Sequence, residues 1–122
     1  MNSSNGRKTW IFPDGDRPKE GSFPNKGHES IIILNCTDIP ATVGMTVYFT
    51  DKDPVKGRLE VGSQRVRCFR TNNKDDMCGI TLEYSEQYAI KLESNVEIVA
   101  QYGKLETSDQ PMAYYTVMGY CD

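Results

Sequence analysis

The chain has 122 residues, enough for one domain that hides roughly 65 % of its unfolded surface, so folding calls for neither a metal nor a disulfide staple. Apolar residues make up 38 % and charged residues 25 %, with fourteen basic against seventeen acidic side chains and a formal charge of −3. That balance argues against a protein that lives on nucleic-acid phosphates, and without any run of about 18 apolar residues no membrane-spanning helix is expected.

The opening "MNSSNGRKTW" has no apolar stretch of the secretory kind, so a cytoplasmic location is expected. Trp10, the single tryptophan, either packs in the core or offers its indole face to a sugar ring. Residues 14–27, "DGDRPKEGSFPNKG", are dense in Gly, Pro and charge and read as a long surface loop. "HESIIILNCTD" (28–38) carries the one histidine. As a strand it places His28 and Ser30 on one face and Glu29 on the other, so these three cannot pass a proton among themselves. No G-x-S-x-G elbow supplies a nucleophile either, and no enzyme is expected. The segment reads as a strand whose polar entrance borders a binding surface.

In "ATVGMTVYFTD", Val43, Met45, Val47 and Phe49 share one face and Thr42, Thr46, Tyr48 and Thr50 the other, a half-buried antiparallel strand. "DKDPVKG" (51–57) reads as a turn, and its Asp51 and Asp53 lack the further oxygens of a calcium loop. "RLEV" points Leu59 and Val61 inward. "RVRCFR" sets Val66 and Cys68 against Arg65, Arg67 and Phe69. Two guanidinium forks on one face, with Arg70 nearby, make either an anion or polyol site or a solvated face paired with Glu60 or Glu83.

"TNNKDDMCG" (71–79) is a second polar loop, and "ITLEY" and "YAIKLES" read as short strands. "NVEIVAQYGKLET" follows with Val96, Ile98 and Ala100 on one side, and "AYYTVMGY" is either a strand or a short helix ending at Gly119. Cys36, Cys68, Cys78 and Cys121 form no CxxC pair and have no histidine at ligand spacing, so reduced thiols are expected, with neither metal nor cofactor. No segment keeps a helical period. Short alternating strands separated by Gly, Pro and Asn/Asp loops predict an all-β, antiparallel β-sandwich with residues 1–122 as a single domain.

Trp10, Gly15, "HESIIILN" (28–35), "VYFTDKDPV" (47–55), "RVRCFR" (65–70), "LESNVEIVAQYGKLET" (92–107) and the closing "TVMGY" form, in order and spacing, a pattern that resembles the sensory rhodopsin transducer family over nearly the whole chain. The resemblance implies a cytoplasmic β-sandwich that assembles as a homotetramer. It also implies a small-molecule binding role, with sugars or similar anionic polar metabolites as ligands. A photoreceptor partner, met through its cytoplasmic face, belongs to part of the family; DNA binding, attributed to one member, gains nothing from the acidic balance here. The matching polar residues, and hence the ligand-binding set, are Trp10, His28, Glu29, Asn35, Arg65, Arg67, Arg70 and Gln101. His28, Glu29, Arg65 and Arg67 are expected nearest a ligand, with Asn35 and Gln101 in support. Two departures stand out: Glu97, where relatives often have proline, and the 71–79 loop with Met77 and Cys78. Proline in a strand belongs at an edge or bulge, so Glu97 bears on an edge or a subunit contact. Tyr114, Tyr115 and Tyr120 are expected as interface anchors, either between subunits or toward a partner. A binding module is thus the leading reading, a signalling adaptor the second, and a His28–Glu29 hydrolase the third.

Overall fold

Burial alternates residue by residue along the strands of a computed structural model, which describes residues 5–19, 27–106 and 113–122. The described residues form eight strands: β1 (Arg7–Asp16), β2 (His28–Asn35), β3 (Ala41–Phe49), β4 (Val55–Val61), β5 (Arg65–Arg70), β6 (Gln87–Glu106), β7 (Ala113–Val117) and β8 (Tyr120–Cys121). All ladders are antiparallel. One sheet runs β4-β3-β6-β1-β8, and the other runs β5-β2-β6-β7, so β6 is common to both. The all-β sandwich expected from period-two patterning is what forms, with no helix among the described residues.

The inner faces supply the core. Trp10, Phe12, Val43, Met45, Val47, Leu59 and Val61 come from the first sheet and Ile31, Ile33 and Phe69 from the second. β6 contributes Tyr88, Ile90, Leu92, Val96, Ile98, Ala100 and Tyr102, every second side chain apart from Ser94. Burial of each large aliphatic or aromatic group contributes about 1.5–3 kcal/mol, which is why the inward set tolerates so little polarity.

Four local expectations change. "YAIKLES" and "NVEIVAQYGKLET" are one strand of 20 residues, because nothing in "ESNVE" breaks an extended backbone. Between Thr9↔Glu93 and Arg7↔Ile98 the register slips, and Glu97 falls in this irregular stretch with no ladder partner among the described residues. An irregular stretch of this kind is where a strand admits proline. "ITLEY" makes no ladder; its Leu82 is buried and plugs the core from a loop. The turn at 51–57 is shorter than expected, since β4 starts directly after Pro54. β1, hidden in "RKTWIFPDGD", escapes a simple alternation test because Pro13 lies in a bulge between Phe12 and Gly15. At the other end, "AYYTV" is the strand alternative, and β8 returns to pair with β1 through Trp10↔Cys121.

Candidate functional site

The polar groups singled out in the sequence lie in three separate places. Glu29 is on the inner face of β2 and is 0 % exposed. A carboxylate in that position is costly unless its lone pairs are met by donors. Here they are met from three directions. The Asp16 amide at the end of β1 donates at 2.9 Å, the Thr71 hydroxyl donates at 3.2 Å, and the Tyr102 phenol of β6 donates to Oε2. The Thr71 amide adds a bond to the Glu29 carbonyl. Glu29 is thus a buried brace joining β1, β2, β6 and the segment after β5.

Tyr88 is also buried, and its hydroxyl has no hydrogen bond of good geometry among the described residues. Burial, and next the Glu29 carboxylate, push this phenol well above its ordinary pKa. A phenol kept neutral in the fold but free to ionise when unfolded leaves stability untouched below pH about 10 and erodes it as pH rises further. Tyr88→Phe is therefore expected to change stability at pH 7 by less than about 1 kcal/mol and to flatten the alkaline decline. Urea denaturation at neutral pH and again near pH 11 checks both halves.

Trp10 and Asn35 are core elements as well. The Trp10 indole is 2 % exposed and donates to the carbonyls of Arg7 and Ile98, each at 3.0 Å, so it offers no face to a sugar. Asn35, 0 % exposed, ends β2 by donating to the Ile39, Val61 and Gly62 carbonyls while its Oδ1 accepts from the Thr37 amide and hydroxyl.

Arg65 and Arg67 occupy the open edge. Among the described residues β5 pairs only with β2 and no further strand covers it, so both arginines are exposed although Arg67 stands opposite Ile33 on the core-facing side. Arg67 lies over the Phe69 ring at 4.6 Å and donates to the Glu60 carbonyl at 2.8 Å, lashing the edges of the two sheets together. The Glu60 carboxylate is within ion-pair distance of Arg58 instead, at 3.5 Å, so of the two alternatives the pairing with Glu60 takes the form of an arginine–carbonyl clasp. Charged side chains aimed inward at an edge strand discourage a foreign strand from pairing there.

His28, Arg70 and Gln101 belong to the outer face of the second sheet. Arg70 stands opposite Ser30, and Gln101 opposite Ile32. Period two decides the outcome: adjacent His28 and Glu29 point to opposite sides, and arginine, imidazole and carboxylate do not meet in one cleft. That corrects the expectation placing His28, Glu29, Arg65 and Arg67 together around a ligand.

Two features were missed. The first is apolar: on the outer face of the second sheet, Leu34 is 39 % exposed, Val66 61 % and Met118 69 %. With Ile32, Val99 and Gln101 they line a shallow groove of about 330 Å³. The signal was present in "SIIIL", whose unbroken apolar run is the mark of a strand covered on both sides. The second is a cavity of about 150 Å³ between the segment after β1 and residues 71–82, lined by Arg17, Thr71, Asn72, Lys74 and Leu82 among others. Its residues are scattered through two loops, and no spacing rule would have gathered them. The cysteines are free thiols, and among the described residues no cluster of three metal-binding side chains occurs.

A family model described as Anabaena sensory rhodopsin transducer matches residues 5–121. Among solved structures, Thermotoga maritima 1070 superimposes with a TM-score of 0.87 at 28 % identity, covering 98 % of this chain and 97 % of that one. The Anabaena sensory rhodopsin transducer superimposes with a TM-score of 0.70 at 35 % identity, over 83 % of this chain and 97 % of its own. No curated protein matches.

Proposed function

This chain belongs to the Anabaena sensory rhodopsin transducer family, and from that premise we propose that it is a non-enzymatic, cytoplasmic signalling module that works through protein contact. The observation that carries this reading is the apolar outer face of the second sheet, exposed across four strands and their ends. Exposed apolar surface of this kind favours association over solvation. Its occupant is a further copy of the chain, in an assembly up to the homotetramer; the upstream partner is a photoreceptor's cytoplasmic face or another protein. Tyr114, 63 % exposed on β7 beside Leu105, extends the same face and suits an interface anchor.

Light scattering with the double variant Leu34→Asp/Val66→Asp tests the assembly. The wild type is expected to run as an oligomer, and the variant as a monomer, its association weakened more than about a hundredfold by two carboxylates in a buried contact. A wild type that is monomeric at high micromolar concentration would sink the reading.

A second reading, binding of a small polar molecule, is favoured by the cavity beside Arg17. Of the residues expected at a ligand, His28, Arg70 and Gln101 on the outer face and Arg65 and Arg67 at the edge are the ones a surface ligand could meet, apart from that cavity, while Trp10, Glu29 and Asn35 hold the frame.

A further inference from the structure

We propose that the cavity beside Arg17 binds a small oxyanion that still carries a proton, such as hydrogen phosphate or a short hydroxy-carboxylate; the assignment rests on the small-molecule reading and gives it a site and a ligand class. Arg17 is prepared for such a guest. Its guanidinium stacks on Tyr84 at 4.1 Å and donates through Nη1 to the Leu82 carbonyl at 2.5 Å. Its Nε is buried and has no acceptor among the described residues. A buried N–H of a clamped cation, without an acceptor among the described residues, is matched by an anionic oxygen.

Lys74 supplies a second positive charge to the cavity lining. Its backbone carbonyl is occupied, accepting from the Met77 and Gly79 amides, which fixes the loop, but its ammonium makes no ion pair among the described residues. Neighbouring acids are committed elsewhere: Asp76 accepts from the Arg70 amide, Glu86 pairs with Lys52, and Glu29 holds its three donors. Asp75, next in sequence to Lys74, is exposed and makes no ion pair with it. Among the described residues no carboxylate forms an ion pair with Arg17 or Lys74, and Glu29 stands behind Thr71.

Thr71 sets the selectivity. It lines the cavity and its hydroxyl proton is given to Glu29, so toward a guest this side chain can act only as an acceptor. A ligand with a hydroxyl proton satisfies it, whereas a fully deprotonated anion does not. The volume of about 150 Å³ corresponds to about five waters at about 30 Å³ each, room for phosphate or a three-carbon acid.

The test is a heteronuclear NMR titration of the whole protein at constant ionic strength with inorganic phosphate, glycerate, sulfate and chloride. Phosphate and glycerate are expected to give saturable shifts at the amides of Thr71, Lys74 and Leu82, with sulfate at least about tenfold weaker for want of a proton. Lys74→Gln, at a position whose side chain makes no hydrogen bond or ion pair among the described residues, is expected to weaken phosphate binding about tenfold while leaving the melting temperature unchanged. Equal binding of sulfate and phosphate, or an unaltered affinity in Lys74→Gln, would overturn the assignment. A neutral sugar binding elsewhere, with phosphate and glycerate silent, would overturn it too while leaving small-molecule binding intact; silence across a broad panel that includes sugars would end both.

Discussion

Glu29→Ala is expected to cost about 3–5 kcal/mol of folding stability, a large part of the 5–15 kcal/mol typical of a domain. The loss comes from the donors left behind more than from the carboxylate itself. Without Glu29 the Asp16 amide, the Thr71 hydroxyl and the Tyr102 phenol all point at a cavity. Each buried donor without an acceptor costs about 1–3 kcal/mol, and the removed volume adds to that. Glu29→Gln keeps one acceptor oxygen and turns an amide toward the other donors, so an intermediate loss of about 1–3 kcal/mol is expected. Tyr102→Phe removes a single donor and belongs at the lower end of the same range. Urea denaturation of the three variants gives the order Ala, Gln, then Phe from most to least damaging. Should Glu29→Ala fold with a loss below about 1 kcal/mol, the brace is not what holds these strands.

The second large effect belongs to Asn35. One amide group closes the corner between β2 and β3, its two N–H hydrogens shared among three carbonyls and its oxygen accepting twice from Thr37. Asn35→Ala strips all of these contacts from a buried site, and a loss of about 2–4 kcal/mol is expected from the carbonyls and amide left dry. Asn35→Asp tests the direction of the bonds. It preserves the oxygen facing Thr37 but sets a second carboxylate oxygen against the carbonyls of Ile39, Val61 and Gly62, so it should be at least as harmful as alanine. Thermal unfolding measures the loss, and amide exchange at Gln64, whose N–H reaches the Thr37 carbonyl, reports whether the corner itself has opened.

Much of the fold was legible in the sequence because two-residue alternation is a direct imprint of the pleat. Val43, Met45 and Val47, then Leu59 and Val61, then Val96, Ile98 and Ala100 all face inward as their spacing requires. β1 was not legible: Pro13 interrupts its pattern, and only the register with β6 reveals it. The candidate site fared differently. A list of polar residues carries no information about depth, and Glu29 and Asn35 look like surface chemistry until their neighbours are known. Glu29 is polar among inward residues because its donors arrive from Asp16, Thr71 and Tyr102, far apart in the chain. The Arg17 cavity was hidden for the same reason, since it joins a residue after β1 to a loop more than fifty positions later.

One strand, β6, serves as partner in both halves of the sandwich. The two sheets use successive stretches of it, residues 87–98 in one and 99–106 in the other, so unfastening either sheet loosens one end of a continuous backbone that is held at its other end by the second. The molecule should open all at once, without a stable fragment on either side of residue 95, and a pull at the Gln101 end must travel along a taut chain to Tyr88 before anything yields.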